Sequence, residues 1–152
     1  MAFITERLGP DAIRVGADPV AIPADKGAYL LLLRLDRPVD LPRRAAHWHI
    51  GPGLYAYAGS AYGPGGLRAR IGRHLASAKR LHLHVDHLTV RAADISVLIC
   101  PGVSECLLVE RLLATGAFDI PYPGFGSSDC RRCGSHLLRL TGYSPAAPSV
   151  DP

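Results

Sequence analysis

The most apolar stretch of the chain, Ala28 to Leu35, lies between Gly27 and Asp36-Arg37-Pro38. A run this short suits a strand buried on both faces and is far too short to span a bilayer. Pro38 to Arg44 reads as a connection. Leu54 to Gly59 alternates between a Gly-Pro-Gly and a Gly-Ser boundary, which predicts a second strand antiparallel to the first. The Tyr-Gly-Pro-Gly-Gly segment from Tyr62 to Gly66 is a turn. Beyond it Leu67, Ile71, Leu75 and Ala78 recur at helical spacing as one apolar stripe. Arg70, Arg73, His74 and Ser77 fall on another face of that helix. Gly72 costs it about 1 kcal/mol relative to alanine, so packing must hold it.

Downstream, His84 to Val90 predicts a short helix and Ile95 to Cys100 a third strand. Ser104 can cap a helix that runs to Thr115, with Gly116 as its stop. Gly124 to Ser128 is a glycine- and serine-rich loop, and His136 to Leu140 suits a last strand. Residues 1–26 carry Pro10, Pro19 and Pro23 without a sustained period, and read as an extension with little regular structure. The proline-rich end beyond Tyr143 reads as a disordered tail. The expected division is therefore an extension over 1–26, a domain over 27–141 and a tail over 142–152.

A length of 152 residues fits one domain with a real core, and 48% hydrophobic with 20% charged residues is the balance of a soluble globular chain. The net charge of +4 and the isoelectric point near 9.1 favour an anionic partner, most simply nucleic acid. Met1 to Arg14 shows no cationic start followed by an apolar run. The four cysteines then read as thiols in a cytoplasmic protein rather than as a disulfide framework.

The candidate chemistry starts at Gly27-Ala28-Tyr29 and Tyr57-Ala58-Gly59, which place glycine and tyrosine at matched positions on two adjacent strands. Arg70 and His74 follow, one helical turn apart. A phosphodiester under attack gains charge on its non-bridging oxygens, and a guanidinium can pair with two of them. Arg68, Arg70, Arg73, Lys79 and Arg80, with Arg131, Arg132 and Arg139, form a basic set suited to phosphate contact. The plain alternative is that the glycines and aromatics pack and the cations are solvated.

Histidines 47, 49, 82, 84 and 87 invite a metal reading, but His-x-His spacing is common elsewhere, and imidazole suits zinc or copper rather than magnesium. Cys130-x-x-Cys133-x-x-His136 is sharper. A structural zinc site needs four ligands, and Cys100 or Cys106 completes this one only if the fold brings the third strand or its helix alongside. A packed pair of thiols is the expected arrangement. The βαβ context of a redox Cys-x-x-Cys is missing.

Taken in order, Tyr57-Ala58-Gly59-Ser60-Ala61, the Arg70 to His74 helix, His82-x-His84-x-Asp86-x-Leu88 and Phe125 to Cys130 carry a resemblance. With the two tripeptides, the chain resembles the GIY-YIG endonuclease superfamily over about Lys26 to Leu140. It is most similar to a small prokaryotic branch of unknown function, sometimes fused to an endonuclease III-type DNA glycosylase. The resemblance implies an α/β fold: a three-stranded antiparallel sheet flanked by helices. It implies a DNA endonuclease using one Mg²⁺ or Mn²⁺, directed by structure or damage, with a DNA-repair protein as a further partner. Tyr57 or Tyr29 would be the general base and Arg70 the transition-state cation, with His74 one turn on.

The metal glutamate of the superfamily lies on an acidic helix after the third strand, where this chain has Glu105 and Glu110. The second position is favoured, so Glu110 is the expected metal ligand. Five residues on a helix rotate by about 140°, so both cannot face one site. Gly59, Ser60, Arg68, Arg73, Lys79, Arg80 and His84 are expected to contact nucleic acid. His82, His84 and Asp86 are expected to be structural or to line the nucleic-acid groove. The chain has no asparagine, which many members place after this helix, and alanine replaces isoleucine in both tripeptides. A catalytically degenerate nucleic-acid-binding module is therefore the alternative reading, and a zinc-stabilised interaction domain a third.

Overall fold

Because Ala28 to Leu35 is apolar on both faces, it can sit only in the middle of a layered structure. In the computed structural model, which describes residues 2–10, 12–16, 18–42, 47–77, 79–81, 84–127 and 130–145, it is the central strand of a six-stranded antiparallel sheet. The elements in chain order are α1 (Ala2–Leu8), β1 (Ile13–Val15), β2 (Gly27–Leu35), β3 (Val39–Pro42), β4 (His47–Ile50), β5 (Gly53–Ser60), α2 (Gly66–Leu75), α3 (His84–Thr89), β6 (Asp94–Pro101), α4 (Glu105–Ala114), β7 (Phe118–Asp119) and β8 (Leu137–Leu140). The sheet order is β1-β6-β2-β5-β8-β7, and β3 pairs with β4 separately.

The period of two in β2 divides the core between two faces. Tyr29, Leu31, Leu33 and Leu35 share one cluster with Tyr55, Tyr57, Leu67, Ile71 and Leu88, from β5, α2 and α3. Ala28, Leu30 and Leu32 share the other with Leu108 and Leu112 of α4 and with Ile4 and Leu8 of α1. The result is a mixed α/β fold with helices on both faces of an antiparallel sheet.

The strands expected at β2, β5 and β6 are the sheet's centre, the expected last strand is β8 beside β5, and β1 and β7 widen the sheet further. Residues 1–26 depart most from expectation. Ile4 and Leu8 of α1 are buried, and Ile13, Arg14 and Val15 pair with Ile99, Leu98 and Val97. A three-residue edge strand is too short to show a period, which is why only the tertiary contact reveals it. Likewise the connection after Pro38 opens into a hairpin, with Val39 opposite Ile50 and Leu41 opposite Trp48.

Local signals held where they were strong. Ser104 Oγ accepts from the Leu107 N–H, and Gly116 follows α4 at φ 72°. Most of the tail, together with Ala78, His82, Leu83, Ser128 and Asp129, lies outside the described residues. No helix among the described residues is long and apolar enough to cross a membrane.

Candidate functional site

Register brings the start of β2 and the ends of β5 and β6 to one end of the sheet, where Ala28 lies opposite both Ser60 and Cys100. Helix α2 leaves from the same end after the Tyr62–Gly66 turn, and α4 starts there after β6. Tyr57, Gly59, Ser60, Arg70 and Glu105 are carried to this place by chain topology.

Tyr29 lies opposite Gly59. A Cβ on Gly59 would stand 2.2 Å from Tyr29 Cζ, so only glycine lets the ring lie over the neighbouring strand. The ring is fully buried, and its Oη makes a 2.7 Å hydrogen bond with Nε2 of the buried His74. Asp86 Oδ1 is 3.7 Å from His74 Nδ1. Asp86 is itself fully buried and accepts two hydrogen bonds from the Arg73 guanidinium, at 2.7 and 3.1 Å. Tyr29, His74 and Asp86 thus form a buried polar cluster that half-exposed Arg73 closes, hydrogen-bonded at its two ends, with His74 Nδ1 facing Asp86 without a hydrogen bond.

Burial lowers the His74 pKa to about 4, helped by Lys79 and Arg70, so the ring is neutral at pH 7. The Asp86 carboxylate favours the proton on Nδ1, which leaves Nε2 to accept the Tyr29 hydroxyl. Burial, with Tyr57 nearby, pushes the Tyr29 phenol well above its ordinary value.

Beside this cluster, Tyr57, Ser60, Arg70, Glu105, Arg131 and Arg132 line an open cleft of about 400 Å³. Tyr57 is 7% exposed, in contrast to the sealed Tyr29. Its ring stands edge-on to His74 and to Phe125, with centroids 6.3 and 6.4 Å apart. Burial raises the Tyr57 pKa, Arg70 opposes the rise, and Asp86 and Glu105 add to it. Arg70 also borders a neighbouring depression with Ser60, Gly63 and Arg73. A phenol, a guanidinium and a carboxylate thus border one open cleft.

A sequence profile described as a domain of unknown function, DUF123, matches residues 28–150, from β2 through every later element. The chain belongs to the DUF123 family. No curated protein and no solved structure matches it.

Within this DUF123 chain, several expected site residues lie elsewhere. Glu110 is exposed and pairs with Arg132, 2.5 Å away, while Glu105 faces the cleft. The helical rotation between them decides this, because burial of Leu108 and Leu112 against the sheet sets which side of α4 turns to the cleft. Three cations expected at phosphate are occupied within the fold. Arg68 Nε donates to the Ile22 carbonyl at 2.7 Å, and Arg73 is tied to Asp86. Lys79 Nζ donates to the His74 carbonyl and to Thr89 Oγ1, at 2.5 and 2.7 Å.

Arg139 pairs with Asp119. Arg80 is exposed and gives its carbonyl to Arg73. His84 starts α3 and stacks near Trp48 and Phe125, away from the described lining of the cleft. His49 pairs with Asp40 on the hairpin. Asp86 emerges as a partner of both His74 and Arg73. Its place in the His-x-His-x-Asp segment was the only sequence signal for that.

Cys106, Cys130, Cys133 and His136 also converge, with their ligand atoms all within 4.8 Å of one another. The expected packed pair is thus a group of four, because α4 brings its first turn against the loop before β8. Cys130 and His136 reach the wall of the cleft.

Proposed function

We propose that this DUF123 domain is a metal-dependent endonuclease of the GIY-YIG kind that hydrolyses DNA phosphodiester bonds at structured or damaged sites. The supporting observation is that Tyr57, Arg70 and Glu105, from β5, α2 and α4, line one open cleft. Tyr57 is the general base: as phenolate, its Oη takes the proton of the attacking water. Arg70 meets the non-bridging oxygens as charge develops on them. Arg131 flanks the scissile phosphate from the opposite loop.

Glu105 fits one Mg²⁺ or Mn²⁺. It offers a hard oxygen donor in a half-exposed position, with cleft volume left for waters and a phosphate. Such an ion, when bound, supplies Lewis-acid charge beside the phosphate. Tyr29 and His74 act as positioning residues, since they wedge α2 against the strands and thereby aim Arg70. The thiol state of the cysteines suits a cytoplasmic setting.

The test is cleavage of supercoiled plasmid, branched, damaged and single-stranded DNA with Mg²⁺ or Mn²⁺. Wild type is expected to cut. Arg70→Ala and Glu105→Gln should each lose on the order of 10²-fold or more, as removal of a transition-state cation does. Glu110→Gln should stay within about 3-fold, since it changes a surface pair. No cutting of any substrate would overturn the proposal. Salt-dependent binding in its place would leave a module that holds nucleic acid without hydrolysing it.

A further inference from the structure

The loop from β7 to β8 is held before its cysteines are considered. Gly124 N–H donates to the Gly134 carbonyl at 2.7 Å, His136 N–H to Phe125 at 2.8 Å, and Ala58 N–H to His136 at 2.9 Å. This frame directs Cys130, Cys133 and His136 towards Cys106 in the first turn of α4. We propose that these four residues form a tetrahedral zinc site that fastens the start of α4 to the β7–β8 loop.

Geometry supports four-fold coordination. Zn–S bonds of about 2.3 Å at the tetrahedral angle put sulfurs about 3.8 Å apart. The ligand atoms here lie within 4.8 Å of each other, and the Cys106 and Cys130 sulfurs are 3.4 Å apart. Shifts of about an ångström or less, inward for the wider pairs and outward for Cys106 and Cys130, close the tetrahedron. A disulfide instead needs sulfurs about 2.05 Å apart, and it leaves the other two groups unexplained.

Independent features point to a ligand. His136 is 6% exposed, yet its Nε2 has no hydrogen-bond partner among the described residues. A buried unsatisfied nitrogen is costly unless something takes it up. The backbone N–H of Cys133 points at Cys130 Sγ across 3.4 Å, the kind of support that orients a metal-bound sulfur. Three thiolates and one imidazole make a closed, soft ligand set that selects zinc over magnesium or calcium. The site is therefore chemically separate from Glu105 and stands whether or not the cleft cuts DNA.

Its structural consequence follows from sequence order. Glu105 immediately precedes one ligand, and Arg131 and Arg132 lie between two others. Zinc would hold the carboxylate and the two guanidiniums at a constant separation across the cleft.

The experiment is metal analysis of the full chain, purified under reducing conditions without added metal. About one zinc per chain is expected. Cobalt exchanged into the site should show the intense visible bands of tetrahedral Co²⁺ and sulfur-to-metal charge transfer. Cys133→Ser and His136→Ala should lose stoichiometric zinc, whereas Cys100→Ala, on β6 outside the group, should retain it. If the ligand variants do not fold, cobalt titration of chelator-stripped wild type decides. A thiolate spectrum that saturates at about one equivalent supports the site. Wild type lacking zinc and giving no such spectrum overturns it. So does zinc that survives both ligand substitutions, or a Cys106–Cys130 disulfide in the isolated protein.

Discussion

Adding one methyl group at Gly59 should unseat the buried polar cluster. The new Cβ would lie 2.2 Å from Tyr29 Cζ and 2.3 Å from its Oη, whereas ordinary contact begins at 3.4 Å. The ring must therefore retreat by 3.4 − 2.2, about 1.2 Å, in a fully buried position. Overpacking of this kind costs about 1–3 kcal/mol. A retreat that size also stretches the 2.7 Å bond to His74 beyond hydrogen-bonding range. Two buried polar groups are then left unpaired, at a further cost of about 1–3 kcal/mol.

A total near 4 kcal/mol lowers Tm by roughly 10 °C for a chain of this length. Thermal unfolding followed by circular dichroism measures it. Gly16→Ala, where nothing lies within 4 Å of the added carbon, is the control and should change stability by less than about 0.5 kcal/mol. If Gly59→Ala melts within about 2 °C of wild type, the close approach of Tyr29 to β5 is not a constraint and the reasoning fails.

Arg73→Ala strips a fully buried Asp86 of its bidentate partner and should cost about 3 kcal/mol in urea unfolding; a loss under about 1 kcal/mol would show the pair to be dispensable. His74 is depressed from its ordinary 6.5 to about 4, so the unfolded chain binds the extra proton between those values and stability falls as pH drops through that window. Relative to pH 8 the loss at pH 5 should be about 2 kcal/mol, and a His74→Gln variant whose stability falls just as steeply would refute it. Because burial raises Tyr57 above the ordinary phenol range, any nicking rate should climb about tenfold per pH unit between pH 7 and 9. Tyr57→Phe should abolish cleavage, and a flat profile with an active Phe variant removes Tyr57 as the base.

Local chemistry along the chain was enough to specify the middle of the sheet and the helix after it. Ala28 to Leu35 has apolar residues on both faces and can only be central. Ser104 and Gly116 delimit α4 through a side-chain acceptor and a positive φ, both short-range effects. Tyr57-Ala58-Gly59 and Arg70 could be placed because each sits inside an element with a strong period, and Gly27-Ala28-Tyr29 because it opens the apolar run.

Side-chain roles that depend on which surface meets which were decided only by tertiary packing. The sequence pattern favours Glu110, yet the burial of Leu108 and Leu112 turns Glu105 to the cleft and Glu110 to the surface. Arg68, Arg73 and Lys79 look like phosphate-binding cations until the Ile22 carbonyl, Asp86 and Thr89 are placed beside them. Cys106 joins Cys130 and Cys133 across a separation of more than twenty residues, which no local spacing encodes. The edge strand β1 likewise exists because β6 offers it a partner. Propensity and period act over a few residues, whereas charge pairing, ligand convergence and edge pairing are properties of the surfaces that the chain folds together.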